Sequence, residues 1–156
     1  MPFWTYKLYT NAGHQYAGYA DIQVVQDALK AMRAAALSAY PREACGILLG
    51  QNEGERGGRS LSGFVQTANV HPTPETHFEI DPQALIDAHR AERKGGPKLM
   101  GYFHSHPIGE PVPSAIDRTM AARDGKVWAI VAGDRVRFWQ DRADGFCALS
   151  YDVIDR

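Results

Sequence analysis

The chain has 156 residues, an ordinary apolar share of 44% and a formal net charge of −1. That length suits one domain around one core, and the scattered charges leave no basic stripe of the kind nucleic acid needs. Two cysteines, Cys45 and Cys147, make no disulfide framework. With no signal peptide or membrane-spanning apolar run in view, a cytoplasmic protein is expected, bound to neither membrane nor nucleic acid.

Residues 1–20 stand apart. Phe3, Trp4, Tyr6, Tyr9, Tyr16 and Tyr19 make them strongly aromatic. Trp4, Tyr6 and Leu8 alternate with Thr5 and Lys7, which permits a short strand before a turn at Asn11-Ala-Gly13. The stretch reads as an extra strand packed on the domain, as a partner-binding surface, or as a segment foreign to it. The domain proper is taken as 21–156.

Asp21 to Tyr40 carries Ile22, Val25, Leu29, Met32 and Ala36 at helical spacing, with Asp21 as the cap and Pro41 as the stop. Glu43 to Gly50 reads as a central strand. The Gly-rich loop 51–60 leads to a returning strand, Leu61 to Val70. Two prolines break His71 to His77, and Phe78-Glu-Ile80 is extended. Asp81-Pro82 opens a helix that runs to about Lys94 and stops at Gly95-Gly-Pro97. Lys98 to Phe103 is a buried strand. A loop rich in Pro and Gly then leads to a helix from Ser114 to about Asp124-Gly125. Val127–Ala132, Val136–Trp139 and Phe146–Ile154 complete the chain as strands. The order predicts an α/β sandwich in which helices flank one mixed sheet.

Chemistry concentrates in Gly101-Tyr-Phe-His-Ser-His-Pro-Ile-Gly-Glu-Pro-Val-Pro-Ser-Ala-Ile-Asp117. The period of two along a strand puts His104 and His106 on one face, half of a zinc site, and turns Ser105 away. Ser114 at a helix N-cap leaves Asp117 one turn in, where it can swing back as a third, oxygen ligand. Three protein ligands and one open position describe a catalytic zinc, not a structural one. Taken singly, the parts have plainer readings: surface histidines, or a capping box with no metal. Their joint spacing favours the metal. Cys45 is read as a small core residue, and His14, His71, His77 and His89 as ordinary histidines. Glu110 is read as a solvated charge.

His-Ser-His-Pro followed by Ser114 and Asp117 resembles the signature of the JAMM (MPN+) metallopeptidases. Glu43, in Tyr40-Pro-Arg-Glu-Ala-Cys-Gly-Ile-Leu-Leu-Gly50, matches that family's upstream glutamate. The likeness covers about residues 21–156. It implies a JAMM-type fold related to cytidine deaminases, a single Zn2+ held by His104, His106 and Asp117, and two catalytic residues. Glu43 would be the general base for the zinc-activated water. Ser114 would donate a hydrogen bond to the oxyanion. The short bacterial type further implies a peptidase or isopeptidase acting after the C-terminal glycine of a ubiquitin-like or sulfur-carrier protein. A homodimer is left open.

Two other readings compete. A non-catalytic MPN scaffold would have lost ligands that this chain keeps. A RadC-like protein linked to DNA repair shares the Pro107-to-Ser114 pattern, but it has Asn where this chain has Ser105. A zinc deaminase would need Pro-Cys-x-x-Cys, which is absent.

Overall fold

A computed structural model describes residues 20–52 and 58–155. The aromatic arm and the tip of loop 51–60 therefore lie outside the described residues, Ala20 excepted.

The elements in chain order are β1 (Ile22–Val25), α1 (Gln26–Ala39), β2 (Cys45–Gln51), β3 (Arg59–Thr67), α2 (Pro82–Arg93), β4 (Lys98–Ser105), α3 (Ala115–Met120), β5 (Val127–Ala132), β6 (Arg135–Arg142), β7 (Gly145–Leu149) and β8 (Tyr151–Ile154). The strands form one sheet in the order β7-β6-β5-β4-β2-β3-β1-β8. Its ladders are mixed: β4 runs parallel to β5 and antiparallel to β2, and β1 is parallel to both β3 and β8. This is the mixed, helix-flanked sheet expected.

The sheet curls. β7 and β8 sit at opposite ends of the strand order, yet only Ser150 separates them in sequence. A flat sheet of that width could not be joined by one residue. Ser150 is held where the ends meet: its N–H and hydroxyl both donate to Asp21 Oδ2, at 2.8 and 3.0 Å, and its hydroxyl accepts from the Asp21 N–H at 2.9 Å.

The period of two along the strands sorts the core. Leu48, Leu61, Phe103, Ala129, Val131 and Phe138 pack with α1 through Ala28, Leu29, Met32 and Ala35. Cys45, Ile47 and Leu99 face the other way, toward Leu85 and Ala88 of α2. β5 is buried along its whole length, so it lies centrally with both faces covered. Gly101 lets β4 and β5 approach, because a side chain there would run into the Val127 carbonyl.

Three expectations need correction. The helix expected from Asp21 starts at Gln26, and Ile22–Val25 is a strand between β3 and β8. The Ile22/Val25/Leu29 spacing fits a helix, but the β-branched Ile22, Val24 and Val25 suit a strand better, and the Asp21 carboxylate binds Ser150 instead of capping. α3 ends at Met120, not near Asp124; the Asp141 carboxylate takes the Arg123 N–H at 2.8 Å, and Arg123 adopts φ 56°. The last expected strand is two, broken at Ser150. Among the described residues no helix is long and apolar enough to cross a membrane.

Candidate active site

Three elements deliver the side chains. Glu43 stands just before β2, and His104 lies near the end of β4 with His106 just past it. Ser114 and Asp117 begin α3. β2 and β4 are adjacent and antiparallel, with Cys45 opposite His104, so Glu43 arrives beside the histidine pair. The alternation expected of β4 holds. His104 faces the α2 side with Phe78 stacked on its ring, and Ser105 turns to the other face.

His104 Nε2, His106 Nε2 and Asp117 Oδ2 stand 3.1 Å from one another in every pairing. On a tetrahedral metal with bonds of about 2.0–2.1 Å, ligand atoms lie about 3.3 Å apart. The triangle thus has nearly the size of one face of such a tetrahedron. Hydrogen bonding alone explains it poorly. His106 Nδ1 donates to the Glu110 carbonyl at 2.8 Å, so His106 could also donate to Asp117 only as an imidazolium. As a neutral ring, fixed in that tautomer by Glu110, it would present a bare Nε2 to a metal. Two imidazole nitrogens and one carboxylate oxygen fit a metal of the zinc type.

Charges in the site are strongly coupled. Burial pushes His104 down; it is also the largest single influence on His106, but there the bonds to Asp117 and the Glu110 carbonyl, together with the Asp117 and Glu43 charges, outweigh it and raise the ring. Burial would raise Asp117, but its bonds to His104 and His106 hold the carboxyl well below the usual carboxylate range. Burial pushes Glu43 up to about 7, opposed by His106 and assisted by the Asp117 charge. Glu43 is 5% exposed and its Oε1 has no partner among the described residues. It offers a ligand atom that groups with those of His104 and His106 inside 4.8 Å. A buried, unpaired carboxyl with a proton affinity near neutrality can take and return a proton.

Ser114 caps α3 as expected. Its Oγ accepts from the Asp117 N–H at 3.0 Å, and Asp117 Oδ2 accepts from the Ser114 N–H at 2.9 Å. The hydroxyl proton of Ser114 remains available for an outside acceptor.

Several supports were not read from the sequence. Phe78 stacks on His104 with ring centroids 4.3 Å apart, and Trp128 meets the same ring edge-on. Ser105 accepts from the Ala44 N–H at 2.8 Å and so pins the segment that carries Glu43. Asn69 binds the Glu43 carbonyl at 3.0 Å. Glu110 is exposed, but it is not merely a solvated charge: its carboxylate pairs with Arg135 at 2.8 Å. The Phe-Glu-Ile run offered only hydrophobicity, and nothing local marks Asn69 as a hub. His71 and His77 stack on each other 4.5 Å apart in the 69–80 loop. His89 lies exposed on α2 near Glu92. Cys45 is buried in the core and points its thiol at Thr67 and Ala68, not at the triangle.

Residues 25–142 match the family described as prokaryotic homologs of the JAB domain. The chain is 33% identical over 114 residues to a desampylase of Haloferax volcanii, covering 72% of this chain and 79% of the relative. It is 35% identical over 96 residues to a Thermus thermophilus protein described as "Probable TtuB-protein conjugate cleaving protease", covering 62% of this chain and 60% of the relative. A solution structure from Desulfitobacterium hafniense superposes with a TM-score of 0.76 at 27% identity, over 86% of this chain and 94% of that one. The chain belongs to the prokaryotic JAB family, within JAB/MPN domains, and is a hydrolytic enzyme of the JAB type with residues placed to hold a metal.

Proposed function

We propose that this protein is a zinc-dependent peptidase that cuts after the C-terminal glycine of a ubiquitin-like or sulfur-carrier protein, releasing either a target lysine or a short extension. The observation that carries the reading is the triangle of His104, His106 and Asp117 atoms beside the buried Glu43, whose Oε1 has no partner among the described residues. One relative is described as a desampylase and the other as a probable TtuB-protein conjugate cleaving protease, which supports this substrate class.

In this reading His104, His106 and Asp117 hold the zinc. When bound, zinc acidifies water and polarises a carbonyl. Glu43 accepts the proton of the attacking water and passes it to the leaving amine. Its buried carboxyl suits both halves of that task, because an acid tuned near neutrality gives up a proton nearly as readily as it takes one. The Ser114 O–H donates to the oxygen that gains charge as the amide carbonyl becomes tetrahedral. Asp117 stays ionised throughout, held so by its imidazole partners and by the Ser114 N–H.

Access supports a glycine tail. The His104 side chain is fully buried and that of Asp117 is 5% exposed, while His106 shows 11%. Little of these three side chains is open to solvent, so the reacting carbonyl must reach a largely buried site. A chain without side chains next to the scissile bond meets the least obstruction there, and its backbone groups can bond to the surrounding loops.

The test is intact-mass analysis of ubiquitin-like and sulfur-carrier proteins, extended past Gly-Gly or joined to a lysine, after incubation with the zinc-loaded protein. Cleavage after the terminal glycine by wild type but not by Glu43→Gln is expected. Cleavage elsewhere, or equal cleavage by Glu43→Gln, would overturn the reading.

A further inference from the structure

Glu43 and Ala44 precede β2 and lie outside the sheet ladder, so their backbone is secured by other means. On one side Ser105 grips Ala44: its hydroxyl accepts the Ala44 N–H at 2.8 Å and its N–H donates to the Ala44 carbonyl at 3.0 Å. On the other side the 69–80 loop grips Glu43. The Glu43 N–H donates to the Pro74 carbonyl at 2.7 Å, and the Glu43 carbonyl accepts from Asn69 Nδ2 at 3.0 Å.

That loop is in turn knitted by the same amide. Asn69 Nδ2 also donates to the His77 carbonyl at 2.9 Å, and Asn69 Oδ1 accepts the N–H groups of His71 and Glu79, both at 3.1 Å. The ends of the loop meet at an isolated bridge between Asn69 and Ile80, with the Val70 N–H donating to the Glu79 carbonyl at 2.9 Å. Between these ends the chain also holds itself through turns at Thr73, a bond from the Thr73 N–H to His71 Nδ1 at 2.9 Å, a side-chain bond between Thr76 and His77 at 2.7 Å, and the stacked His71 and His77 rings. The loop also carries Phe78, whose ring backs His104.

We propose that Asn69 is the positioning residue for the general base, a single amide that sets where Glu43 stands relative to the His104/His106/Asp117 triangle. The inference rests on the base role given to Glu43 above. Its chemistry is specific to asparagine. The carbonyls of Glu43 and His77, with that of Pro74 farther off at 3.5 Å, face the amide nitrogen and two N–H groups face its oxygen, and only an amide supplies two donor protons and two acceptor lone pairs from one side chain. Aspartate has the same shape but would set a carboxylate oxygen against the carbonyls of Glu43 and His77. Glutamine has the same groups on a longer stem. A displacement of about 1 Å in a catalytic group can cost on the order of 10²-fold in rate.

The experiment compares zinc-loaded wild type, Asn69→Asp, Glu43→Gln and the double variant on a substrate that wild type cleaves. Asn69→Asp should lower kcat about 10²-fold with KM within about twofold and zinc content unchanged. In the Glu43→Gln background the same substitution should cost almost nothing, because a residue that acts through Glu43 has nothing left to position. An equal loss in both backgrounds, or a KM effect alone, would overturn the proposal. Amide hydrogen exchange tests it without turnover. Faster exchange confined to 43–44 and 71–79 in Asn69→Asp, with global stability retained, is expected, and unchanged exchange there would overturn it. Exchange behaving as expected while wild type cleaves no substrate would fault the peptidase reading and leave the placement of Glu43 by Asn69 standing.

Discussion

Ser114 and Asp117 exchange hydrogen bonds across the first turn of α3, and the carboxylate oxygen that closes this exchange is the one 3.1 Å from both imidazoles. The helix cap and the proposed metal ligand are therefore one structure. Replacing Ser114 by alanine removes the acceptor for the Asp117 N–H and should cost about 1 kcal/mol of stability. It also removes the proposed oxyanion donor, which should lower kcat about 10²–10³-fold. Zinc content should hold, since Asp117 keeps its bond from the Ser114 main chain. Threonine at 114 should restore most of the stability. Thermal melts and kcat measured on the same samples separate the two effects, and a variant that loses stability while keeping kcat would remove the oxyanion role.

Glu43 gives the pH dependence its sign. The proposed base works deprotonated, so kcat should rise with pH across its titration. Burial, opposed by His106 and assisted by the Asp117 charge, places that titration at about 7, and a bound cation pulls it lower. The limb should therefore fall at or below neutrality, and Glu43→Gln should abolish it along with about 10²–10⁴ of the rate. Stability runs the other way. A carboxyl whose folded pKa lies above its usual 4.5 weakens the fold at pH values where it is ionised. Metal-free Glu43→Gln should accordingly melt no lower than wild type at pH 8. A clear fall in its Tm would show that the ionised Glu43 is held by a partner.

How much of this the sequence carried depended on how local the determinants are. The convergence of the proposed ligands was legible because a strand period and a helix cap each act over a few residues: His104 and His106 meet at Nε2, and Ser114 and Asp117 share a turn. Asp81 capping α2 was legible for the same reason; it accepts from the Gln83 N–H at 3.1 Å. Ile22–Val25 was misread because its apolar spacing fits both periods and the deciding partner, β8, lies at the far end of the chain. Asn69 escaped notice because four of the groups it bonds are main-chain atoms of residues that no side-chain pattern singles out.

Phe78 predicts an effect on metal affinity. His104 Nδ1 is buried and has no partner among the described residues, so apart from the Nε2 contacts with Asp117 and His106 the orientation of that ring comes from packing. Phe78 covers one face of it and Trp128 its edge. Truncating Phe78 to alanine should free the ring and weaken zinc binding by about 10–100-fold, the range typical when an outer-shell support of a ligand is lost. His104→Ala should abolish stoichiometric zinc altogether. Competition against a chromophoric chelator reads both, and wild-type affinity in Phe78→Ala would mean that the β4 backbone alone fixes His104.

The Asp21–Ser150 clasp predicts a purely structural effect. Asp21 Oδ2 accepts from both the N–H and the hydroxyl of Ser150, and the Ile22 N–H donates to the Ser150 carbonyl at 3.1 Å, so the two ends of the curled sheet are joined at one residue. The bonds are exposed, so each contributes modestly, and Asp21→Ala should lower stability by about 1 kcal/mol. Two features make the loss specific. β1 is only four residues long, so the bonds at its start are a sizeable share of what fixes its register between β3 and β8. The proposed site residues lie on other elements, so kcat and zinc content at 25 °C should not change. Denaturant unfolding with an unchanged slope and a lower midpoint is the expected result. A loss of activity matching the loss of stability would instead show that sheet closure and the geometry of the ligand triangle are coupled through β3 and β2.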